Sequence, residues 1–269
     1  MLGFSALNTY GWSAMGHRVI AQIALDHLTQ EAKKLFLQYN NSIDKLSFVE
    51  AAVWLDNVNY HNIRILKTIH YIDIPYIMDG IKPPALNPDN GITAIKSAVA
   101  ILRDINSPDY MKGINTRIIT HVVGDLHQPM HAVTLYSTEF KEGDMGGNLY
   151  CLQANSIAAN LHGYWDKGGG LLNSHKKITS ARITRVARKV EDKWPCPSVS
   201  GSQLAPETWA NESYQLAITK AYKINYGQKP SHAYQNMVKQ ISEQRLALAG
   251  CRLASLLNQI ANASESGSM

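Results

Sequence analysis

The chain has 269 residues, of which 45% are hydrophobic and 17% are charged, and its formal net charge is +5. These values describe an ordinary globular protein with ample material for a core, as one large domain or two small ones. No apolar run approaches the ~20 residues of a membrane-spanning helix, so we expect no stable membrane association. The basic charge suits an anionic partner, but a solvated basic surface is the alternative explanation.

The first eleven residues are small and weakly apolar and contain no basic residue. They look like the end of a secretory signal whose charged start lies upstream, and a short disordered leader is the alternative. Thr9 and Gly11 place small residues at positions −3 and −1 of a cut before Trp12. We therefore expect a secreted or periplasmic protein whose mature chain starts at Trp12.

Most of the remaining chain is predicted to be helical, because apolar residues recur at helical spacing. The predicted helices span residues 17–28, 29–39, 91–106, 115–126, 157–167, 178–194, 206–223 and 231–260. A short strand is expected at 149–152, and a minor β-hairpin is expected near the functional site. The Ser/Gly-rich residues 263–269 are expected to be disordered. Since no repeat or linker divides the chain, we predict a single mainly α domain over residues 12–262.

The predicted helix 115–126 is apolar nearly all round, which indicates a buried central helix with Asn115 as its N-cap. Pro129 then ends or kinks it. His121 and Asp125 are spaced i, i+4 and therefore share one face of this helix. A buried carboxylate beside an imidazole requires compensation, and a metal ion supplies it.

Nine candidate metal ligands are spread along the chain between residues 12 and 166. They are Trp12, His17, Asp56, His70, His121, Asp125, His131, His162 and Asp166. Neutral imidazole and carboxylate are the usual ligands of zinc when thiols are not used. One His–Asp pair at i, i+4 fits an ordinary salt-bridged helix face, but the spacing recurs in His162 and Asp166. The set is too large for one zinc ion and suits three, which predicts a zinc-cluster hydrolase.

The other histidines and the cysteines offer no second metal site in the sequence. His127 lies just past the central helix, and we interpret it as a structural histidine. The remaining histidines lack partners at ligand spacing and are expected to be surface or hydrogen-bonded residues: His27, His61, His175 and His232. Cys151, Cys196 and Cys251 form no CxxC pair, which makes a thiolate zinc site improbable, and they allow one disulfide whose pairing stays open.

Six motifs together carry a family resemblance. They are W-x4-H at Trp12/His17, A-x-W-x-D ending at Asp56, H-Y-I-D from His70 to Asp73, H-x2-G-D-x-H-Q-P-x-H from His121 to His131, G-G-N from Gly146 to Asn148, and N-L-H-x2-W-D from Asn160 to Asp166. In this order and spacing, the chain resembles the zinc-dependent, single-strand-preferring nucleases of the S1/P1 nuclease family. The resemblance extends from Trp12 to at least Ser213, and it implies the all-helical fold shared by zinc phospholipase C and P1 nuclease.

The resemblance implies three zinc ions. The implied ligands are Asp56, His70, His121 and Asp125 for the first zinc, His131, His162 and Asp166 for the second, and His17, a bridging Asp125 and the α-amino nitrogen and carbonyl oxygen of Trp12 for the third. Asp56 and Asp125, with a hydroxide that bridges two of the metal ions, are implied to be catalytic. The implied reaction cleaves P–O3′ bonds of single-stranded DNA and RNA, leaves 5′-phosphates, and dephosphorylates 3′-nucleotides.

The resemblance also implies a site for an unpaired nucleobase. Tyr71 would stack on the base, Asp73 would accept a hydrogen bond from it, and Asn148 would be a further substrate-binding residue. The alternative for Tyr71 is core packing. Family members often carry a lysine at the position of Asn59, so phosphate contact here is expected to be weaker or to come from elsewhere. We expect a monomer.

Two other functions stay open at the level of sequence. A zinc-dependent phospholipase C shares the implied fold and ligand pattern, but that family usually has glutamate at the position of Asp166 and a longer gap than Trp12 to His17. A non-catalytic zinc-binding helical protein would use the same ligands in closed sites, whereas catalytic sites keep one position open. Asp166, the short spacing and the HYID motif favour the nuclease.

Overall fold

The structure is a computed structural model that describes residues 11–58, 65–173, 177–196 and 203–266. The described residues form eleven α-helices: α1 (Ala14–Asp26), α2 (Gln30–Asn41), α3 (Phe48–Ala51), α4 (Trp54–Asn57), α5 (Ile65–Thr68), α6 (Gly91–Arg103), α7 (Asp109–Leu126), α8 (Leu161–Asp166), α9 (Ser180–Lys193), α10 (Pro206–Thr219) and α11 (His232–Ser266). The prediction of a mainly α fold is confirmed. The expected leader up to residue 10, Asn59 and residues 267–269 lie outside the described part.

The central helix is α7, which packs against α1, α2, α6 and α11. Its last eight residues are all buried, as the apolar sequence predicted. It begins at Asp109, after Pro108, so Asn115 lies inside the helix and is not its N-cap. The amide of Asn115 donates to the carbonyl of Met111, 2.8 Å away. The first turns are too polar to show an apolar period, which hides the true start of the helix in the sequence.

Two further boundaries differ from the prediction for local reasons. Helix α8 begins at Leu161 instead of residue 157, because the side chain of Asn160 caps it by accepting from the Gly163 N–H at 2.8 Å. The preceding N–H groups of Ile157 and Ala158 are held by the side chain of Asn155. At the other end of the chain, α11 continues to Ser266, through four residues that we expected to be disordered.

The small sheet corrects the expected β-hairpin. Strand β1 (Pro75–Ile77) pairs in parallel with β2 (Thr134–Tyr136), and Tyr76 lies opposite Leu135. Parallel strands need a long crossover, and the connection here contains α6 and α7. Residues 149–152 supply a single antiparallel bridge, from Cys151 to Asn160, flanked by main-chain hydrogen bonds from Leu152 to Ala159 and from Leu161 to Tyr150.

Two apolar clusters meet at the segment that carries His131. The larger one includes the buried faces of α1, α6, α7 and α11, and the smaller one surrounds Trp165 and Tyr164. Met130 packs into the smaller cluster and Ala132 into the larger one, which fixes His131 at their junction. Cys196 and Cys251 form a disulfide that joins the end of α9 to α11, while Cys151 is an exposed free thiol. None of the described helices is both long and apolar enough to cross a bilayer.

Candidate metal centre

Helices α1 and α7 bring three of the predicted ligands together. The rings of His17 and His121 stack with centroids 3.8 Å apart and planes 13° apart. His17 Nε2 lies 3.3 Å from Asp125 Oδ1, and all three side chains are buried. The indole N–H of Trp12 donates to the Gly124 carbonyl at 3.0 Å, which anchors the chain before α1 against the same turn of α7. His121 and Asp125 therefore lie on one face of α7, as their i, i+4 spacing predicted.

Two ligands from the α4 and α5 region complete this group. Asp56 lies near the end of α4, and its Oδ1 is 3.3 Å from His121 Nε2. His70, two residues past α5, places its Nδ1 3.1 Å from Asp125 Oδ2 and 3.1 Å from His121 Nε2. His70, His121 and Asp125 can hold one metal ion, as can His17, Asp56 and His121.

A second group of three lies beside the first. His131 Nε2 and His162 Nε2 are 3.1 Å apart. Asp166 completes the group, with Oδ2 3.6 Å from His162 Nε2 and Oδ1 3.9 Å from His131 Nε2. His131 Nδ1 lies 4.0 Å from Asp125 Oδ1, so the two groups adjoin one another. These three residues have the ligand spacing of a metal site.

Hydrogen bonds to main-chain carbonyls fix which ring nitrogens point inward with a lone pair. The Nδ1 atoms of His121, His131 and His162 donate to the carbonyls of Ala52, His70 and Gly146 at 2.7, 2.8 and 2.7 Å. A carbonyl only accepts, so each Nδ1 carries a proton, and the Nε2 of a ring in its neutral form presents a lone pair. The Nε2 atoms of His131 and His162 therefore face each other, acceptor to acceptor. A cation between them turns this repulsion into attraction, and carbonyl-bound histidines are the usual form of metal-ligating histidine.

Several buried acceptors of the centre also lack a conventional partner. Among the described residues, nothing hydrogen-bonds to His17 Nε2, Asp56 Oδ1 or Asp125 Oδ1. Buried polar atoms are nearly always satisfied, so such a cluster requires a ligand. Imidazole and carboxylate donors in two adjoining groups fit divalent transition-metal ions.

The pKa values of several ionisable groups in the centre are shifted from their usual values. Burial lowers the pKa of His17, and the charge of His121 lowers it further. Burial acts to lower the pKa of His121 too, but Asp56 and Asp125 outweigh it and hold that pKa well above its usual value. Burial raises the pKa of Asp166 well above its usual range. Opposite shifts in neighbouring buried groups are typical of functional sites.

Gly11 occupies the space next to the third expected ligand group. A Cβ atom added to Gly11 would lie 1.6 Å from Asp125 Oδ1 and 2.8 Å from His17 Nε2. The main chain that precedes Trp12 thus lies directly against the two side chains expected to share a metal ion with the Trp12 nitrogen. No residue with a side chain fits at this position without displacing them.

A cavity of about 390 Å³ is lined by the expected base-site residues Tyr71 and Asp73, together with Lys67, Leu86 and Tyr136, and Tyr71 directly follows the ligand His70 in the chain. Asp73 accepts a hydrogen bond from the hydroxyl of Thr134, and burial raises its pKa. Asn148 does not belong to the described lining of this cavity. Its amide donates to the Met145 carbonyl at 2.8 Å, so its contact with substrate stays a prediction.

A second cavity, of about 510 Å³, opens on the metal centre from another side. Its described lining includes the ligands Asp56 and Asp166, with Gly11, and the cationic residues Arg18 and Lys167. The sequence reasoning missed Arg18. The sequence contained one signal for it: Arg18 follows His17 on a helix, and none of the residues at i±3 and i±4 from Arg18 is acidic.

Gln128 is a second residue that the motifs contained but the sequence reasoning did not use. Its amide donates to Asp166 Oδ1 at 2.6 Å, and its carbonyl oxygen accepts from the Met130 N–H at 2.6 Å. It therefore orients a ligand and braces the turn that carries His131. Second contacts of this kind commonly tune metal affinity.

Three of the histidines that we interpreted as structural or surface residues are described in the structure, and each has such a role. His127 is fully buried and hydrogen-bonded, with Nδ1 donating to the Val123 carbonyl and Nε2 accepting from Arg252. His27 contacts Glu191 at the surface, and His232 is exposed. His61 and His175 lie outside the described residues.

Comparisons with known proteins agree with the geometry. The family described as S1/P1 Nuclease matches residues 12–262. The chain is 26% identical to Endonuclease 2 of Arabidopsis thaliana over 289 residues, which cover 96% of this chain and 93% of the relative. It is 26% identical to Nuclease S1 of Aspergillus oryzae over 282 residues, with 94% and 93% covered. To Nuclease P1 of Penicillium citrinum it is 22% identical over 278 residues, with 93% and 97% covered.

Proposed function

The chain belongs to the S1/P1 nuclease family and is a hydrolase acting on nucleic-acid phosphodiester bonds; from this premise we propose that it is a zinc-dependent endonuclease for single-stranded DNA and RNA that also dephosphorylates 3′-nucleotides. The observation that carries the proposal is the pair of inward lone pairs on His131 and His162, 3.1 Å apart, beside a second group of buried unsatisfied acceptors. Asp56 of one group and Asp166 of the other line a cavity of about 510 Å³, which is large enough for a nucleotide.

Three zinc ions are proposed, with the ligands that the resemblance implies. His131, His162 and Asp166 would hold one ion, and Asp56, His70, His121 and Asp125 another. His17, Asp125 and the terminal nitrogen and carbonyl oxygen of Trp12 would hold the third. Bound zinc supplies a coordinated water of lowered pKa and a positive charge that polarises the phosphoryl group.

The protein's own contribution is to hold these ligands in place before substrate arrives. Main-chain carbonyls fix the tautomers of three histidines, and Gln128 fixes Asp166. Asp125 touches members of both groups, since it lies 3.1 Å from His70 and 4.0 Å from His131. A preorganised site of this kind needs little rearrangement when charge develops on the phosphate.

Single-strand preference would follow from the cavity that contains Tyr71. An aromatic ring stacks on any base, but only a base that is not paired within a duplex can enter a cavity of about 390 Å³. Asp73 would accept a hydrogen bond from an exocyclic amino group, with the Thr134 hydroxyl holding the carboxylate in position.

We further propose secretion or periplasmic export with cleavage before Trp12. The α-amino nitrogen of Trp12 becomes a ligand only when the preceding peptide bond is cut, since an amide nitrogen is a poor metal ligand. The close approach of Gly11 to Asp125 and His17 supports the proposal, because cleavage would clear that space.

The test is metal content per chain on protein that begins at Trp12, with activity on single-stranded DNA measured in the same sample. We expect three zincs, with activity abolished by chelation and restored by zinc. Three zincs without nuclease activity would overturn the proposed substrate, and fewer than two would overturn the ligand assignment. Protein that retains residues 1–11 should bind one zinc fewer and lose activity, and full activity there would contradict the role of the Trp12 nitrogen.

A further inference from the structure

Arg18 places a cation in the cavity of about 510 Å³ that opens on the metal centre. It follows His17 in α1, so the helix that aims one side chain at the centre directs the next one, about 100° further round, into the adjoining space. Arg18 is half-buried there. The cavity also presents Asp56 and Asp166, one carboxylate from each of the two ligand groups.

The guanidinium of Arg18 has no hydrogen bond or salt bridge anywhere in the part of the chain that the structure describes. The nearby acid Glu50 is already engaged, since the backbone N–H and the hydroxyl of Ser47 donate to it at 3.1 and 2.7 Å. The other cation of the cavity, Lys167, already donates one of its three N–H groups to the Ile157 carbonyl at 2.7 Å. Arg18 is therefore the cation of this cavity that has no hydrogen bond within the described residues, and all its donors are available to a ligand.

The ligand chemistry that fits Arg18 is a phosphodiester. Arginine presents a fixed fork of donors that matches two oxygens of a phosphate, and such charge-assisted pairs are stronger than neutral hydrogen bonds. The cavity volume suits one nucleotide.

The two cavities at the centre have no described lining residue in common. Under the proposed function, on which this inference rests, a nucleotide with its base beside Tyr71 has its 3′-phosphate at the metal centre. The next nucleotide then leaves through the cavity that contains Arg18. We propose that Arg18 binds the phosphate immediately 3′ of the scissile linkage, so that it assists cleavage of a nucleic-acid strand but not of a 3′-mononucleotide.

A short series of substrates isolates that phosphate. Adenosine 3′-monophosphate and the dinucleotide d(ApA) lack it, whereas the trinucleotide d(ApApA) has it. A fourth substrate carries a neutral methylphosphonate at the second linkage of d(ApApA), which removes the charge and leaves the length unchanged. All four are assayed with zinc-loaded protein that begins at Trp12, at cleavage of the first ester.

The variant Arg18→Gln should raise KM for d(ApApA) about 10-fold, the effect expected for losing a hydrogen bond to a charged group on a partly exposed side chain, and leave kcat within about 2-fold. It should leave the mononucleotide, the dinucleotide and the methylphosphonate substrate unchanged. The salt slope of log kcat/KM for d(ApApA) should fall by about 0.7, the value for one phosphate contact on a single strand. Arg18→Lys should restore part of the KM, and Arg103→Gln, an exposed change at the end of α6, should change nothing.

The outcomes separate this inference from the proposed function. If the wild-type protein cleaves none of the four substrates, the proposed function itself is overturned. If it cleaves them but Arg18→Gln matches the wild type on d(ApApA), Arg18 does not bind the strand. An equal loss on all four substrates would show that Arg18 supports His17 or α1 instead of binding the downstream phosphate.

Discussion

Two buried polar regions lie at the end of α7, and they are built on opposite principles. One is the metal centre. The other, here called the arginine network, consists of His127, Glu212, Ser213, Arg245 and Arg252. In the arginine network donors meet acceptors: Arg252 donates to both Glu212 oxygens at 2.7 and 2.8 Å, and Arg245 donates to Glu212, Ser213 and the His127 carbonyl. Only Nε of Arg252 lacks a partner among the described residues.

In the metal centre, by contrast, hydrogen-bond acceptors face one another. His131 and His162 oppose their lone pairs, and buried oxygens of Asp56 and Asp125 have no hydrogen-bond donor in the described structure. Both regions contain fully buried histidines, so burial alone does not distinguish a ligand from a structural residue. What distinguishes them is whether the surrounding protein completes the hydrogen bonds or leaves them for a cation.

The largest expected effect comes from removing the carboxylate that touches both metal-ligand groups. Asp125→Asn should lower activity on single-stranded DNA by at least about 10³-fold, since electrostatic stabilisation and metal placement are lost together. It should also bind fewer zinc ions per chain. The discriminating measurement is thermal stability with and without zinc, because a metal that binds only the folded state stabilises it by mass action. Wild-type protein should gain far more stability from zinc than the variant does, and equal gains would contradict the assignment of Asp125 as a ligand.

A change in the arginine network should affect stability and leave zinc binding alone. Glu212→Gln removes the carboxylate that, within the described part of the chain, pairs with the side chains of Arg245 and Arg252, both of which are only 5% exposed. Breaking a buried pair typically costs 3–5 kcal/mol, and because Glu212 is 32% exposed we expect about 2–3 kcal/mol. The loss, measured by denaturant unfolding, should be the same with and without zinc.

A matched control for that change is Glu207→Gln, which breaks the exposed pair between Lys96 and Glu207. Exposed pairs contribute about 0–1 kcal/mol, so this variant should stay close to the wild type. If Glu212→Gln instead reduced the zinc content or the zinc-dependent gain in stability, the arginine network would be part of the metal centre and the contrast between the two regions would fail.

The contrast also explains what the sequence could predict. The two His–Asp pairs were visible because i, i+4 spacing is local, and the buried half of α7 was visible because it is apolar. The arginine network was not, since Arg245 and Arg252 lie 118 and 125 residues from His127. For Arg18 the sequence showed only that no acidic residue lies at i±3 or i±4, whereas its lack of any hydrogen bond among the described residues is a property of the packed structure. The parallel pairing of β1 with β2 depends on a crossover and has no local signal.

Gln128 lies between the two regions and tests where the boundary falls. It hydrogen-bonds to Asp166 but follows His127 directly in the chain. Gln128→Ala should weaken one zinc by about 10–100-fold, the usual effect of losing a partner of a metal ligand. A chelator titration should show one of the three ions released at lower chelator concentration than in the wild type. Unchanged release of all three ions would place Gln128 with the structural residues.

Asp144 is a buried carboxylate that belongs to neither region, and its substitution should change the free energy of unfolding least among the variants considered, apart from the controls. It accepts hydrogen bonds from the Leu135 N–H at 2.9 Å and from the Tyr222 hydroxyl at 2.7 Å, like a member of the arginine network. It has no cation beside it in the described structure, however, and burial raises its pKa from 3.8 to about 6. Between these two values the folded protein binds a proton that the unfolded chain does not. The charged form therefore destabilises the fold at neutral pH. This cost begins to fall as the pH drops through 6, and it is gone only below the unfolded value of 3.8.

Asp144→Asn should consequently raise the free energy of unfolding by about 1 kcal/mol at pH 8, less than the full pKa shift implies because the amide cannot accept every hydrogen bond of the carboxylate. The gain should be clearly smaller at pH 5, because protonation of the folded carboxyl has removed part of the cost there. Metal-free protein is required, since zinc affinity itself varies with pH. The control is Asp79→Asn, because hydrogen bonds from Thr138 lower the pKa of Asp79 and keep it ionised throughout this range, so its difference from the wild type should not change between pH 5 and 8. A gain for Asp144→Asn that is the same at both pH values would mean that hydrogen bonds alone satisfy this buried charge. A buried carboxylate would then be fully stabilised without a neighbouring cation, and the contrast between the arginine network and the metal centre would not depend on one.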